Sequence, residues 1–342
     1  MKKIYLLFLN ISCALHAHSW TTTYHFTSKV FHEYPGVVVV EKKAQEPFAQ
    51  LLVSWNSDLP SRGYFRFYLE VLDETTHQWS QYKMYEWGAG VSRSFFEKNK
   101  QPDGAKYAHV RFEGAPGKLY RKFKIRVESV DGAELSALKH IAVCASDLSF
   151  FKTETVTSLH ATYIKNKHIY LDEVPCISQH DERYPESTGW CSPTSLAQVI
   201  EYYTHTPIDL PVFARSVFDE KLAAYGSWPF NTAQAGVYLP GHVCYITRLH
   251  SVRNLFKLLS RGYPVVVSIC CAKPLPGAPK AYDKGHLITV VGFDLKKKTI
   301  ICHDTAENDS ADMIKHYPLA PFMQAWERRQ RLAYVIVPFK IT

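Results

Sequence analysis

An all-β, sandwich-like domain followed by an α+β domain is the fold class predicted by this sequence, and three observations predict it. From Trp20 to about Cys144 the chain runs in short apolar stretches of strand length, punctuated by turn residues such as Pro102-Asp103-Gly104 and Asp131-Gly132. A polar stretch from about Ser146 to Lys167 then breaks the pattern. Beyond it, Leu196, Val199, Ile200 and Tyr203 recur with the spacing of one helical face, and four β-branched runs follow. A helix before a run of strands is the order of an α+β unit.

The elements follow in chain order. Residues 1–17 read as a secretory signal, because Lys2 and Lys3 precede an apolar stretch and the small residues Ala14 and Ala17 close it. Cys13 sits in a poor context for lipidation, so export without a lipid anchor is expected. Residues 18–145 carry strand-like runs at 36–40, 48–55, 63–72, 108–112 and 120–130. Their many aromatics, Trp55, Tyr64, Phe65, Phe67, Tyr68, Trp79, Tyr82, Tyr85 and Trp87 among them, are expected mainly to fill a core; a surface-ligand role is the other use open to them. Residues 146–169 form the connection. In 170–342 a helix is expected from Cys191 to Tyr203 and another over 254–260, with strands at 264–271, 286–293, 299–303 and 332–337.

Composition excludes several functions. The formal charge of +8 falls by two when Lys2 and Lys3 are removed, and the only compact basic run, Lys296-Lys297-Lys298, lies between two strand-like runs as a hairpin tip. Nucleic acid is therefore not the expected partner. No apolar run after the signal is long enough for a membrane span. Seven of the eight cysteines lie beyond the signal, an odd number that leaves at least one thiol unpaired, and none has the spacing of a zinc site. Neither metal nor cofactor is expected.

The chemistry gathers at Cys191. It opens a helix, where unpaired N–H groups and the dipole favour a thiolate, and Pro193 suits the first turn. His286 and Asp304 end two strand-like runs whose midpoint, residue 295, falls in the intervening turn, so an antiparallel hairpin would set the imidazole opposite the carboxylate. Asp294 belongs to that turn, and His303 would point to the other face. Gln179, twelve residues upstream of Cys191, could donate beside its backbone N–H. Trp190, Trp228 and Asn231 are the candidate substrate contacts, the last two on a loop interrupted by Gly226 and Pro229.

The ordered segments Val174-Pro-Cys-Ile-Ser-Gln179, Tyr184-Pro185, Gly189-Trp-Cys-Ser-Pro-Thr-Ser195, Gly226-Ser-Trp-Pro-Phe-Asn-Thr-Ala233, Gly262-Tyr-Pro-Val-Val-Val-Ser268, Gly285-His286 and Val291-Gly-Phe-Asp294 resemble the stand-alone members of family thirty-nine of the cysteine peptidases, the papain-like group that includes double-glycine leader peptidases. The resemblance implies a papain-like catalytic domain with Cys191 as nucleophile, His286 as base, Asp304 as orienting acid and Gln179 as oxyanion donor. His303-Asp304-Thr305 departs from the family's Asn-Asp-Pro, and no transporter segment is fused here, so leader processing is not the expected substrate. The expected function is hydrolysis of peptide bonds in a peptide or protein. Transpeptidation or amidase chemistry by the same groups, and an inactive papain-like scaffold beside a ligand-binding β domain, are the alternatives.

Overall fold

The computed structural model describes residues 19–95, 101–155 and 167–339. The expected signal and Cys13 lie outside the described residues. The first half holds strands β1 (Thr21–Thr27), β2 (His32–Tyr34), β3 (Val37–Phe48), β4 (Gln50–Ser57), β5 (Tyr64–Asp73), β6 (Gln78–Gly88), β7 (Val91–Ser94), β8 (Lys106–Ala108), β9 (Arg111–Glu113), β10 (Tyr120–Val130) and β11 (Leu138–Ser146). They build two antiparallel sheets, β1-β11-β4-β9-β8 and β2-β3-β10-β5-β6-β7. Alternation decides which side chains meet: on β5, Phe65, Phe67 and Leu69 are buried, while Tyr64, Arg66 and Tyr68 face the other way. Trp55 of one sheet packs on Phe67 of the other with ring centroids 4.3 Å apart. Trp55, Tyr82, Tyr85 and Trp87 are buried as well, and Trp79 is not.

The second half holds β12 (His168–Tyr170), α1 (Cys191–Thr204), α2 (Leu210–Ser216), α3 (Trp228–Tyr238), β13 (His242–Arg248), α4 (Val252–Leu259), β14 (Val265–Cys271), β15 (Tyr282–Asp294), β16 (Thr299–His303), β17 (Ile314–Pro318), α5 (Leu319–Glu327) and β18 (Leu332–Pro338). Its sheet runs β13-β18-β14-β15-β16-β17, with β12 beside β15 and every pairing antiparallel. The result is a mixed helix-and-sheet fold with a mostly helical start and an antiparallel sheet, consistent with a papain-like peptidase domain. The stretch 228–238 corrects the expectation of a loop: Pro229 sits in the first turn of α3, where a missing N–H costs nothing, so it opens the helix rather than breaking it. The Lys296–Lys298 run is indeed the tip between β15 and β16, and Asp294 caps it by accepting from the N–H groups of Lys296 and Lys297 at 2.9 and 3.0 Å.

The two halves share one core. Every residue of β4 is buried, which requires cover on both faces of the strand. One face, carrying Trp55, meets the other β-sheet and Phe230 of α3, the last at a ring distance of 6.2 Å; the far side, carrying Ser54 and Asn56, meets β13 and Gly236 of α3. β13 is an edge strand whose free backbone groups are taken up by β4 side chains. Asn56 donates to the Cys244 carbonyl at 2.9 Å and accepts from its N–H at 3.0 Å, and the Ser54 hydroxyl accepts from Ile246 N–H at 3.2 Å. Buried Arg248 donates to Gln50 Oε1 at 2.6 and 3.0 Å. All seven described cysteines carry free thiols.

Candidate active site

Cys191 is the first residue of α1, and the helix start is pinned to the sheet by its own hydroxyls. Ser192 hydrogen-bonds Tyr334 at 2.9 Å, Ser195 donates to the Leu287 carbonyl at 3.1 Å, and Thr289 returns a bond to the Ser195 carbonyl at 3.2 Å. These polar residues inside a buried helix are thus satisfied by β15 and β18, and they fix the thiol beside the start of β15. There it meets His286, which acts on its ionisation. His286 Nε2 is 2.8 Å from Asp304 Oδ1, which leaves Nδ1 as the ring nitrogen for the thiol.

The hairpin that joins His286 to Asp304 has a different register from the one expected. At the turn, Asp294, Phe293 and Gly292 pair with Thr299, Ile300 and Ile301. Continued unbroken, that register would set Asp304 opposite Thr289, on the wrong face for His286. Val291 is an extra residue, so the next pairs are Val290 with Cys302 and Thr289 with His303. The bulge switches faces: Asp304 now projects opposite Ile288, a diagonal neighbour of His286 rather than its direct partner. Gly292, at the bulge, is where β12 passes so close that a Cβ would lie 2.2 Å from the Ile169 carbonyl oxygen.

The carboxylate of Asp304 is fully buried and carries four donors. Besides His286 these are Tyr317 OH at 2.5 Å, Tyr282 OH at 2.7 Å and Ala306 N–H at 3.1 Å. Burial alone would raise its pKa, yet the His286 bond and charge, followed by the two tyrosines, hold it well below the usual carboxylate range. Burial pushes His286 down, but Asp304 and Cys191 together outweigh it and lift the imidazole to about 9. The Cys191 thiol shows the reverse balance: burial pushes it up, while His286 and the N–H groups of Leu287 and Ser192 bring it below its ordinary value. A thiolate beside an imidazolium is the protonation state this balance favours.

Gln179 is drawn into the same cluster. Its N–H donates to the Thr305 carbonyl at 2.9 Å, and its side-chain oxygen accepts from the Thr305 hydroxyl at 3.0 Å. The amide nitrogen donates to the Thr188 carbonyl at 2.6 Å and lies 3.5 Å from that of Ser187, so one hydrogen is firmly held and the other weakly. Thr305, the residue that departs from the family's proline, therefore anchors the glutamine. His303 points away from Asp304 toward the Pro175 carbonyl at 3.3 Å, and burial lowers it to about 4.

Of the other expected contacts, two are buried and one is half-buried. Trp190 is fully buried between Tyr184 and Tyr225, at ring distances of 5.6 and 5.9 Å, because a large indole just before α1 fills the space under the 184–225 loops. Asn231 is also fully buried and holds the turn before α3, donating to the Tyr225 and Ser227 carbonyls at 2.8 and 2.9 Å. Trp228 is half-buried against the shared core. Tyr282 and Tyr317 carry no sequence motif; their signal is geometric and appears only once β15 and β17 flank Asp304. Among the described residues no cluster of His, Cys, Asp and Glu is placed to hold a metal.

No curated protein matches the chain. Among solved structures, a protein described as a C39-like peptidase from Bacillus anthracis aligns with 19% identity and a TM-score of 0.40, over 51% of this chain and all (100%) of its own. Xylellain, a cysteine protease from Xylella fastidiosa, aligns with 14% identity and a TM-score of 0.33, over 56% of this chain and 91% of its own. The family described as Peptidase_C39 like family matches residues 171–334, the part of the chain that carries Cys191, His286 and Asp304.

Proposed function

We propose that this chain is an exported cysteine peptidase in which Cys191 attacks the carbonyl of a peptide bond, His286 passes the thiol proton to the leaving amine, and water then releases the acyl group. The observation that carries the reading is the buried His286–Asp304 pair, 2.8 Å apart, set against the Cys191 thiol at the start of α1. Asp304 orients the imidazole and stabilises its charge, as an orienting carboxylate must. The backbone N–H groups at the start of α1 supply the oxyanion donors, with Gln179 contributing the amide hydrogen that is only weakly held by Ser187. Residues 18–145 form the sandwich-like domain and 170–342 the peptidase domain, and export rests on the signal-like residues 1–17. No described helix is long and apolar enough to cross a membrane.

The pH profile tests this reading. The reactive state needs the thiol deprotonated and the imidazole protonated. It is lost as pH falls through the lowered value of Cys191, and again as pH rises through about 9, where His286 gives up its proton. A bell-shaped kcat/KM with its alkaline limb near 9 is expected on peptides whose products are read by mass. An alkaline limb near 6.5, the ordinary imidazole value, would contradict the pairing. Products carrying an added amine in place of water would identify acyl transfer instead.

A further inference from the structure

On a regular strand, Tyr282 and His286 would stand about 13 Å apart, four residues at about 3.3 Å each. Their rings are instead stacked, with centroids 4.1 Å apart and planes 16° from parallel. The strand is folded back between them. Ile269 pairs with His286 and Cys271 with Tyr282, so β15 spends two more residues than β14 over this stretch. Gly285 takes up the bend at φ 101°, a conformation closed to side-chain-bearing residues, and a Cβ there would also lie 2.2 Å from the Arg329 guanidinium. Arg329 in turn donates to the Lys284 carbonyl at 2.6 Å, holding the bend from outside. The glycine before the histidine is thus explained by what it brings over the ring.

We infer that Tyr282 is a positioning residue for the reaction proposed above: its hydroxyl holds Asp304 Oδ2 at 2.7 Å while its ring face lies on the His286 imidazole, so one side chain sets both partners of the proton-handling pair. A ring face carries negative electrostatic potential and attracts a cation stacked upon it, so the stack favours the imidazolium over the neutral ring. Tyr282 is itself buried, which strengthens this attraction and keeps water from the His286–Asp304 bond. It stays protonated in the working range, because burial and Asp304 both raise it. Tyr317 is the second hydroxyl on the same carboxylate oxygen, so Asp304 retains a donor when Tyr282 is changed.

The inference rests on the Cys191–His286 reading, and the test separates the two. His286 is followed by NMR in histidine-labelled full-length protein, its signal assigned by its loss in His286→Ala. Wild type is expected to titrate near 9. Tyr282→Leu, which removes ring and hydroxyl, is expected to lower that value by roughly half to one and a half pH units, the range of a cation–π contact. Tyr282→Phe keeps the stack, and so is expected to hold the titration while the rate of Cys191 alkylation by iodoacetamide at pH 6 falls about threefold to tenfold through loss of one hydrogen bond to the carboxylate. An unchanged titration in Tyr282→Leu, or an unchanged alkylation rate in the well-folded Tyr282→Phe, overturns the inference alone. A wild-type imidazole titrating near 6.5 overturns the pairing and the inference with it.

Discussion

Cys191→Ala abolishes peptide-bond cleavage, a loss on the order of 10⁶-fold where a nucleophile acts as one unit with its base. The change removes the sulfur that His286 activates at the start of α1, while the fold has little reason to respond. The thiol is only partly buried, and the helix start is held by Ser192, Ser195 and Thr289 rather than by Cys191. Hydrolysis measured on a peptide mixture, with folding followed by circular dichroism, checks it. Turnover within tenfold of wild type in the folded variant would mean that another group performs the chemistry.

Residues 168–342 expressed without the preceding β-rich half do not fold to a native state. That segment would expose Phe230, Leu239, Cys244 and Ile246, all fully or almost fully buried in the core shared with Trp55 and its neighbours. At about 1.5–3 kcal/mol for each large apolar side chain returned to water, these few contacts alone rival the 5–15 kcal/mol that stabilises a typical domain. The edge of β13 would also lose the Asn56 and Ser54 groups that occupy it, and Arg248 would lose Gln50. An edge strand opened in this way is an aggregation site. Gel filtration and dye binding should find aggregate or a loosely packed state; a soluble monomer that labels Cys191 at the wild-type rate would show the peptidase part to be self-sufficient.

The residues at the centre of the site were legible because their chemistry is local. A cysteine before a helical face, a histidine after glycine and an aspartate closing a strand are each readable from neighbours in sequence, and the ordered segments around them carry the family likeness. Their geometry was less legible. The bulge at Val291 breaks the regular hairpin that the midpoint of residues 286 and 304 implies, and no apolar pattern signals it because both faces of β15 are buried there. Burial on both faces also hid the role of β4, whose run from Gln50 to Ser57 alternates with nothing. Pro229 read as an interruption since a proline marks either a break or a first turn, and only the packing of α3 decides between them. Trp190 and Asn231, expected at the substrate, are fully buried, because side chains with both apolar and polar parts serve a core as well as a cleft.

The central claim, that His286 holds Cys191 as a reactive thiolate, is tested most directly by labelling at a pH where ordinary thiols are silent. At pH 6 a thiol with pKa of about 8.5 is only about 0.3% ionised. Full-length protein treated at pH 6 with a limiting amount of a peptidyl epoxide should gain one adduct per chain, mapped by mass to Cys191 among the seven described cysteines, and His286→Ala should lose that adduct. Labelling spread over several cysteines, or an equal rate at Cys191 in His286→Ala, would contradict it.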